Sequence, residues 1–319
     1  MQKPAELCVR RSVFAAMPGL MLMLALTCLN VRAQSDRAAP AAEPSSRPKI
    51  GLVLSGGGAR GFAHIGALEV LEAHHIPVDY LAGASMGALI GALYATGMTP
   101  VEMRELVGTL DWDQLLRGTP PYDDLSFRRR EDRRNIPAPL LLRGRPNDLK
   151  LPASFNAGHE IGLLFDRLML PYATVTDFDE LPIPFRAVAT DMVEGKTVIL
   201  GSGSLARALR ATMALPGVFT PVEIGGKILS DGGILDNIPT DVVKAMGADI
   251  IIVINIETPL NLRGALGDLA GVLGQTILVT TVENSRRSLR QADFIIAPDL
   301  ATYGLADFQA SSELIELGR

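Results

Sequence analysis

Apolar residues in this chain come as short unbroken runs, separated by stretches in which they recur at helical spacing. Ile50 to Leu54, Tyr80 to Ala82, Phe185 to Asp191, Thr197 to Leu200, Ile228 to Asp231, Asp249 to Ile256 and Phe294 to Ile296 read as strands. The run DIIIVINI is almost wholly apolar, the mark of a strand buried on both faces. Pro100 to Leu110, Gly158 to Met169, Leu205 to Met213, Thr240 to Met246 and Leu266 to Arg290 read as helices, and Asp307 to Arg319 as a last one. From Met86 the sequence MGALIGALYA is apolar on every side, as in a helix at a domain centre. Strands alternating with helices predict an α/β fold, a three-layer sandwich with a mostly parallel central sheet covered by helices on both faces.

Composition permits one large domain: 319 residues, 48% hydrophobic, with 31 glycines and 21 prolines. A net charge of −5 argues against a nucleic-acid partner, which calls for a basic stripe. Arg10 and Arg11 precede an apolar run from Val13 to Leu29, and Val31-Arg32-Ala33 offers small residues for a signal peptidase. The expectation is a signal peptide over 1–33, a retained anchor being the alternative, and an exported protein in the periplasm, in the outer membrane or secreted. An Ala/Pro/Ser linker follows over 34–48, then a domain over 49–300 and a C-terminal helical segment over 301–319. Cys8 and Cys28 both fall in the leader, so neither a disulfide nor a cysteine metal site is expected in the mature chain. The arginine-rich run Arg128 to Arg134 reads as a solvated loop or as a contact for anionic lipid headgroups, with a hairpin at 140–142 and 149–151 beside it.

Two glycine-rich turns carry the candidate chemistry. Gly83-Ala84-Ser85-Met86-Gly87 joins a strand to the apolar helix, which places Ser85 at a sharp corner whose small flanks let the two elements approach. The plainer reading is a serine N-cap. Gly56-Gly57-Gly58-Ala59-Arg60-Gly61 follows the first strand and matches two devices, a dinucleotide fingerprint and a cradle of peptide N–H groups for an anion. The fingerprint wants an acid at the end of the next strand, and neither Glu72 nor Asp79 ends it. A cradle of donors uses both turns together, as an oxyanion hole beside a serine nucleophile. Arg60 either adds positive charge there or braces the loop.

A serine hydroxyl needs a base. The α/β-hydrolases run serine, acid, histidine along the chain, and of the four histidines, His64, His74, His75 and His159, none lies beyond residue 159; His74 and His75 read as surface residues at a helix end, His64 and His159 as structural. Asp231 ends a short apolar strand and is followed by Gly232 and Gly233, which places a carboxylate at a strand end with room beside it. A partly desolvated carboxylate in reach of Ser85 can take its proton; the competing reading is an Asp-Gly hairpin turn. Asp191 also ends its strand, where a structural role is expected.

GGGARG, GASMG and DGG, in this order and at these spacings, resemble the three motifs of the patatin-like phospholipases, lipid acyl hydrolases with a Ser-Asp dyad and no histidine. The resemblance covers about residues 49–300, and Ala214 to Pro221 (ALPGVFTP) is similar to a block that precedes the family's aspartate. It implies Ser85 as nucleophile, Asp231 as its base, and the backbone of Gly57, Gly58 and Ala59 as the oxyanion hole, with Gly56, Arg60, Gly61, Gly83, Gly87, Gly232 and Gly233 as motif positions. It also implies a lipid or phospholipid substrate met at a membrane surface, a place in lipid catabolism, and no cofactor or metal. The alternatives are a serine esterase with a histidine base, or a non-catalytic lipid- or nucleotide-binding module.

Overall fold

The computed structural model describes residues 47–117, 125–128, 130–131, 154–257 and 269–319. The expected leader, the linker up to residue 46, most of the arginine-rich run and the hairpin at 140–151 lie outside the described residues.

Five strands form the parallel part of the main sheet, in the order β10 (Phe294–Ile296), β9 (Ile250–Ile254), β1 (Ile50–Leu54), β2 (Tyr80–Ala84) and β4 (Phe185–Asp191). Side chains alternate across a strand, so strands apolar at every position feed two cores at once. Leu52, Leu54 and Leu81 bury one way, against Leu68, Ile90 and Leu209 of α1 (Ala63–Ala73), α2 (Ser85–Ala95) and α6 (Leu205–Thr212). Val53, Ala82 and Val188 bury the other way, against Val242 and Val243 of α7 (Thr240–Met246), with Leu289 at the end of α8 (Leu269–Leu289). The outcome is the three-layer α/β arrangement that the alternation predicts.

The rest of the main sheet is antiparallel. β5 (Lys196–Leu200) and β8 (Lys227–Asp231) both pair antiparallel with β4, and β7 (Val222–Ile224) pairs antiparallel with β8. β5 pairs with Ala187–Asp191 and so overlaps the span of β4 used by β2, up to Val188, and the span used by β8, from Ala189. β2 and β8 therefore share the opposite edge of β4, β8 continuing where β2 stops. A separate parallel pair, β3 (Ser154–Asn156) with β6 (Gly217–Phe219), was not foreseen.

Beyond residue 300, a short 3-10 turn at Phe308–Ala310 leads into α9 (Ser311–Leu317). Leu314 and Ile315 are buried in the first core, and Arg104 bridges Glu69 of α1 to Glu316 of α9 at 2.8 and 2.6 Å. The C-terminal segment thus packs as part of the same body as the sheet.

Candidate active site

Ala84 closes β2 in extended conformation and Ser85 opens α2 with φ +50°, a left-handed backbone that a residue with a side chain adopts only when its surroundings enforce it. Two close approaches enforce it. A side-chain carbon at Gly87 would run into the carbonyls of Leu54 and Ser55, and one at Gly83 would stand 2.7 Å from the Ala88 nitrogen. The Ser85 N–H donates to Thr212 Oγ1 at 3.0 Å, and the Thr212 hydroxyl donates onward to the Val188 carbonyl at 2.5 Å. Thr212 is fully buried, and nothing in its place at the end of an amphipathic helix distinguishes it in sequence from an ordinary core threonine.

The Ser85 hydroxyl donates to Asp231 Oδ2 at 2.7 Å. Asp231 is held at every polar atom: Oδ1 accepts from the Gly233 N–H at 2.8 Å, its own N–H donates to Ala214 O at 3.0 Å, and its carbonyl accepts from Thr190 Oγ1 at 2.9 Å. The Asp-Gly pair does not turn a hairpin; β8 runs into a 3-10 turn at Gly232–Ile234 that the Asp231 carboxylate caps. With 4% of its surface exposed, Asp231 has its pKa pushed up to about 6, because burial penalises the charged form more than the bonds from Ser85 and Gly233 favour it. Such a group is ionised at neutral pH and still basic enough to accept a proton.

The glycine turn lies against this pair. A side-chain carbon at Gly56 would stand 3.1 Å from Ser85 Cβ, and Gly61 packs on Met86. Gly58 has φ +56°, and the Gly57 and Gly58 N–H groups donate to nothing else among the described residues. Ala59 departs from expectation: its N–H donates to the Leu305 carbonyl at 2.9 Å, so it is engaged within the fold rather than facing an anion. Arg60 is buried and gives its donors to three backbone carbonyls, Leu300 at 2.6 Å, Tyr303 at 3.0 Å and Ile256 at 3.5 Å. Of its two readings, the geometry is that of a brace.

The other titratable candidates stand apart. His64 is buried with Nε2 2.8 Å from the Ser55 carbonyl, and burial lowers its pKa to about 4, so it is neutral. His74, His75 and His159 are exposed, and among the described residues no imidazole hydrogen-bonds to Ser85 or Asp231. Asp191 accepts from the N–H groups of Val193 and Glu194 and pairs with Lys227 at 3.1 Å, bracing the β4–β5 turn. Asp79, one acid considered for a ribose, sits before β2 and is bound to Lys49 and the Ile50 N–H.

A family model described as "Patatin-like phospholipase" matches residues 52–244. An uncharacterized NTE family protein of Mycobacterium tuberculosis is 34% identical over 213 residues, 67% of this chain and 50% of that protein. A protein of Aspergillus niger named lysophospholipase nte1 is 27% identical over 301 residues, 84% of this chain and 17% of its own length. The chain thus spans half or less of these curated relatives. Among solved structures, VipD from Legionella pneumophila aligns with 16% identity and a TM-score of 0.44, over 85% of this chain and 67% of VipD.

Proposed function

The chain belongs to the patatin-like phospholipase family, and from that premise we propose that it hydrolyses carboxylic ester bonds of lipids, with Ser85 as nucleophile and Asp231 as its base. The observation that carries this reading is the 2.7 Å hydrogen bond from Ser85 Oγ to Asp231 Oδ2, made by a serine with strained backbone and a buried carboxylate of raised pKa.

In the first step Ser85 Oγ bonds to the acyl carbon while its proton passes to Asp231 Oδ2, and the carbonyl electrons move onto oxygen. The Gly57 and Gly58 N–H groups receive that oxyanion, each such donor being worth about 3 kcal/mol of barrier. As the intermediate collapses, the ester C–O bond breaks and the leaving alkoxide takes the proton from Asp231. Water then attacks the acyl-enzyme, giving a proton to Asp231 that returns to Ser85 Oγ as the acid departs. The buried, neutral His64 has no part in this sequence.

The name of the Aspergillus niger relative makes lysophospholipids the first substrates to test. Hydrolysis of a panel of phospholipids, lysophospholipids and acylglycerols, with released products identified by mass spectrometry, tests the proposal. Fatty acid release that disappears in Ser85→Ala supports it; no turnover of any carboxylic ester by the folded wild type overturns it.

A further inference from the structure

Gly56 opens the glycine turn, and both of its backbone groups are held by one side chain. Asn237 Oδ1 accepts the Gly56 N–H at 3.1 Å, and Asn237 Nδ2 donates to the Gly56 carbonyl at 3.4 Å. The Asn237 main-chain carbonyl also lies 3.4 Å from the Gly56 nitrogen. Asn237 is 5% exposed, so each of these bonds is made away from water, where leaving one unmade is costly. The same Oδ1 borders the other loop of the site: a side-chain carbon at Gly233 would stand 2.8 Å from Asn237 Oδ1 and 3.1 Å from Asp231 Oδ1. One amide is therefore wedged between the turn that offers the free N–H groups and the turn that holds the carboxylate.

The downstream end of the glycine turn has its own anchors, Ala59 on Leu305 and Arg60 on three carbonyls. Gly57 and Gly58 are suspended between these and Asn237, and Gly58 sits in a left-handed conformation with no side chain to hold it. Without the upstream anchor, the direction of the Gly57 and Gly58 N–H vectors is left to the glycines, which have the widest conformational range of any residue.

We propose that Asn237 is a positioning residue for catalysis: it couples the oxyanion donors to the Ser85–Asp231 pair, so that carboxylate and donors are set by one segment of chain. This rests on the hydrolase reading above. Asn237 touches no reacting atom; its effect runs through Gly56 to the peptide groups that meet charge only in the transition state. Its loss therefore lowers kcat and kcat/KM together while KM stays near its original value.

The test compares wild type, Asn237→Ala and Asn237→Asp on a soluble short-chain ester across pH 5 to 8, with rates normalised to folded protein by circular dichroism. Asn237→Ala is expected to lose about a hundredfold in kcat with little change in KM, comparable to removal of one oxyanion donor. Asn237→Asp separates positioning from mere packing. A neutral carboxylic acid reproduces both contacts, its C=O accepting from the Gly56 N–H and its O–H donating to the Gly56 carbonyl. A carboxylate cannot donate and sets an anion against that carbonyl. The activity of Asn237→Asp relative to wild type should rise as pH falls. Wild-type kcat in folded Asn237→Ala, or a pH profile of Asn237→Asp parallel to that of wild type, overturns the proposal; if Asn237→Ala does not fold, the isosteric Asn237→Asp decides alone. No ester turnover by the folded wild type would instead remove the hydrolase reading itself, and full activity in Ser85→Ala would remove its nucleophile, so these failures are told apart from that of Asn237.

Discussion

Ser85 and Asp231 meet at 2.7 Å across 146 positions of sequence because the strands that carry them run toward each other along one edge of β4. Ala84, the residue before Ser85, lies opposite Val188, and Asp231 lies opposite Ala189, the next position of the same strand. β2 arrives parallel to β4 and β8 arrives antiparallel, so their ends face each other rather than lying side by side. The serine leaves one tip at the elbow while the carboxylate closes the other, and β4 fixes the separation between them.

A carboxylate serving as the base for Ser85 must be ionised, and burial pushes the Asp231 pKa up to about 6. The logarithm of kcat/KM is predicted to fall with a slope of about one per pH unit below about 6. A pH profile on a soluble ester checks this; a limb near pH 4, where an ordinary aspartate titrates, would place the base elsewhere.

The same shift has a stability consequence. A carboxyl whose pKa is raised by folding holds its proton more tightly when folded, so its stabilising effect is complete below the ordinary 3.8 and is lost as pH rises through about 6. At pH 8 the buried charge is a burden that a neutral amide in its place would not carry. Asp231→Asn is predicted to be more stable than wild type at pH 8 by up to about 3 kcal/mol, with the difference gone below about pH 4. Urea unfolding at both pH values measures it. The same variant should lose at least about a thousandfold in kcat.

Thr212 holds the strained Ser85 backbone by accepting its N–H while donating to Val188. Thr212→Val keeps the shape and removes both bonds, leaving a buried N–H and a buried carbonyl unpaired. The predicted result is a loss of about 1–3 kcal/mol in stability and at least about tenfold in kcat. Thr212→Ser, which keeps the hydroxyl, should restore most of both; failure of serine to rescue would show that the methyl group matters instead.

Arg60 supplies donors to Leu300, Tyr303 and Ile256, tying the glycine turn to the stretch after β9 and to the start of the C-terminal segment. Arg60→Met is predicted to destabilise the protein by about 3 kcal/mol or more, because it removes the Arg60 donors from Ile256 and Tyr303 and leaves the Leu300 carbonyl with the Tyr303 N–H alone. Arg60→Lys should rescue little, since an ammonium cannot reproduce the spread of a planar guanidinium. Thermal unfolding of the two variants checks this.

How much of this was legible in the sequence follows from where each constraint resides. The elbow was legible because its strain demands small residues at fixed offsets, Gly83 and Gly87, on either side of the serine. Asp231 was legible as a strand-end acid once a serine required a base. The antiparallel direction of β8 was not, because a strand's apolar pattern is the same read either way. Thr212 and Asn237 were missed because their partners lie 127 and 181 positions away, and locally one looks like a core threonine and the other like a loop asparagine. Ala59 was expected to face an anion because spacing along the glycine turn carries no trace of Leu305, which returns from the far end of the chain to accept its N–H.

Activation of Ser85 by Asp231 is read most directly from the rate and site of modification by a fluorophosphonate at pH 8, followed by intact mass and peptide mapping. One adduct is expected, on Ser85, formed rapidly in wild type, absent in Ser85→Ala and slowed at least about a hundredfold in Asp231→Asn. Modification of Asp231→Asn at the wild-type rate, or an undiminished adduct in Ser85→Ala, would contradict it.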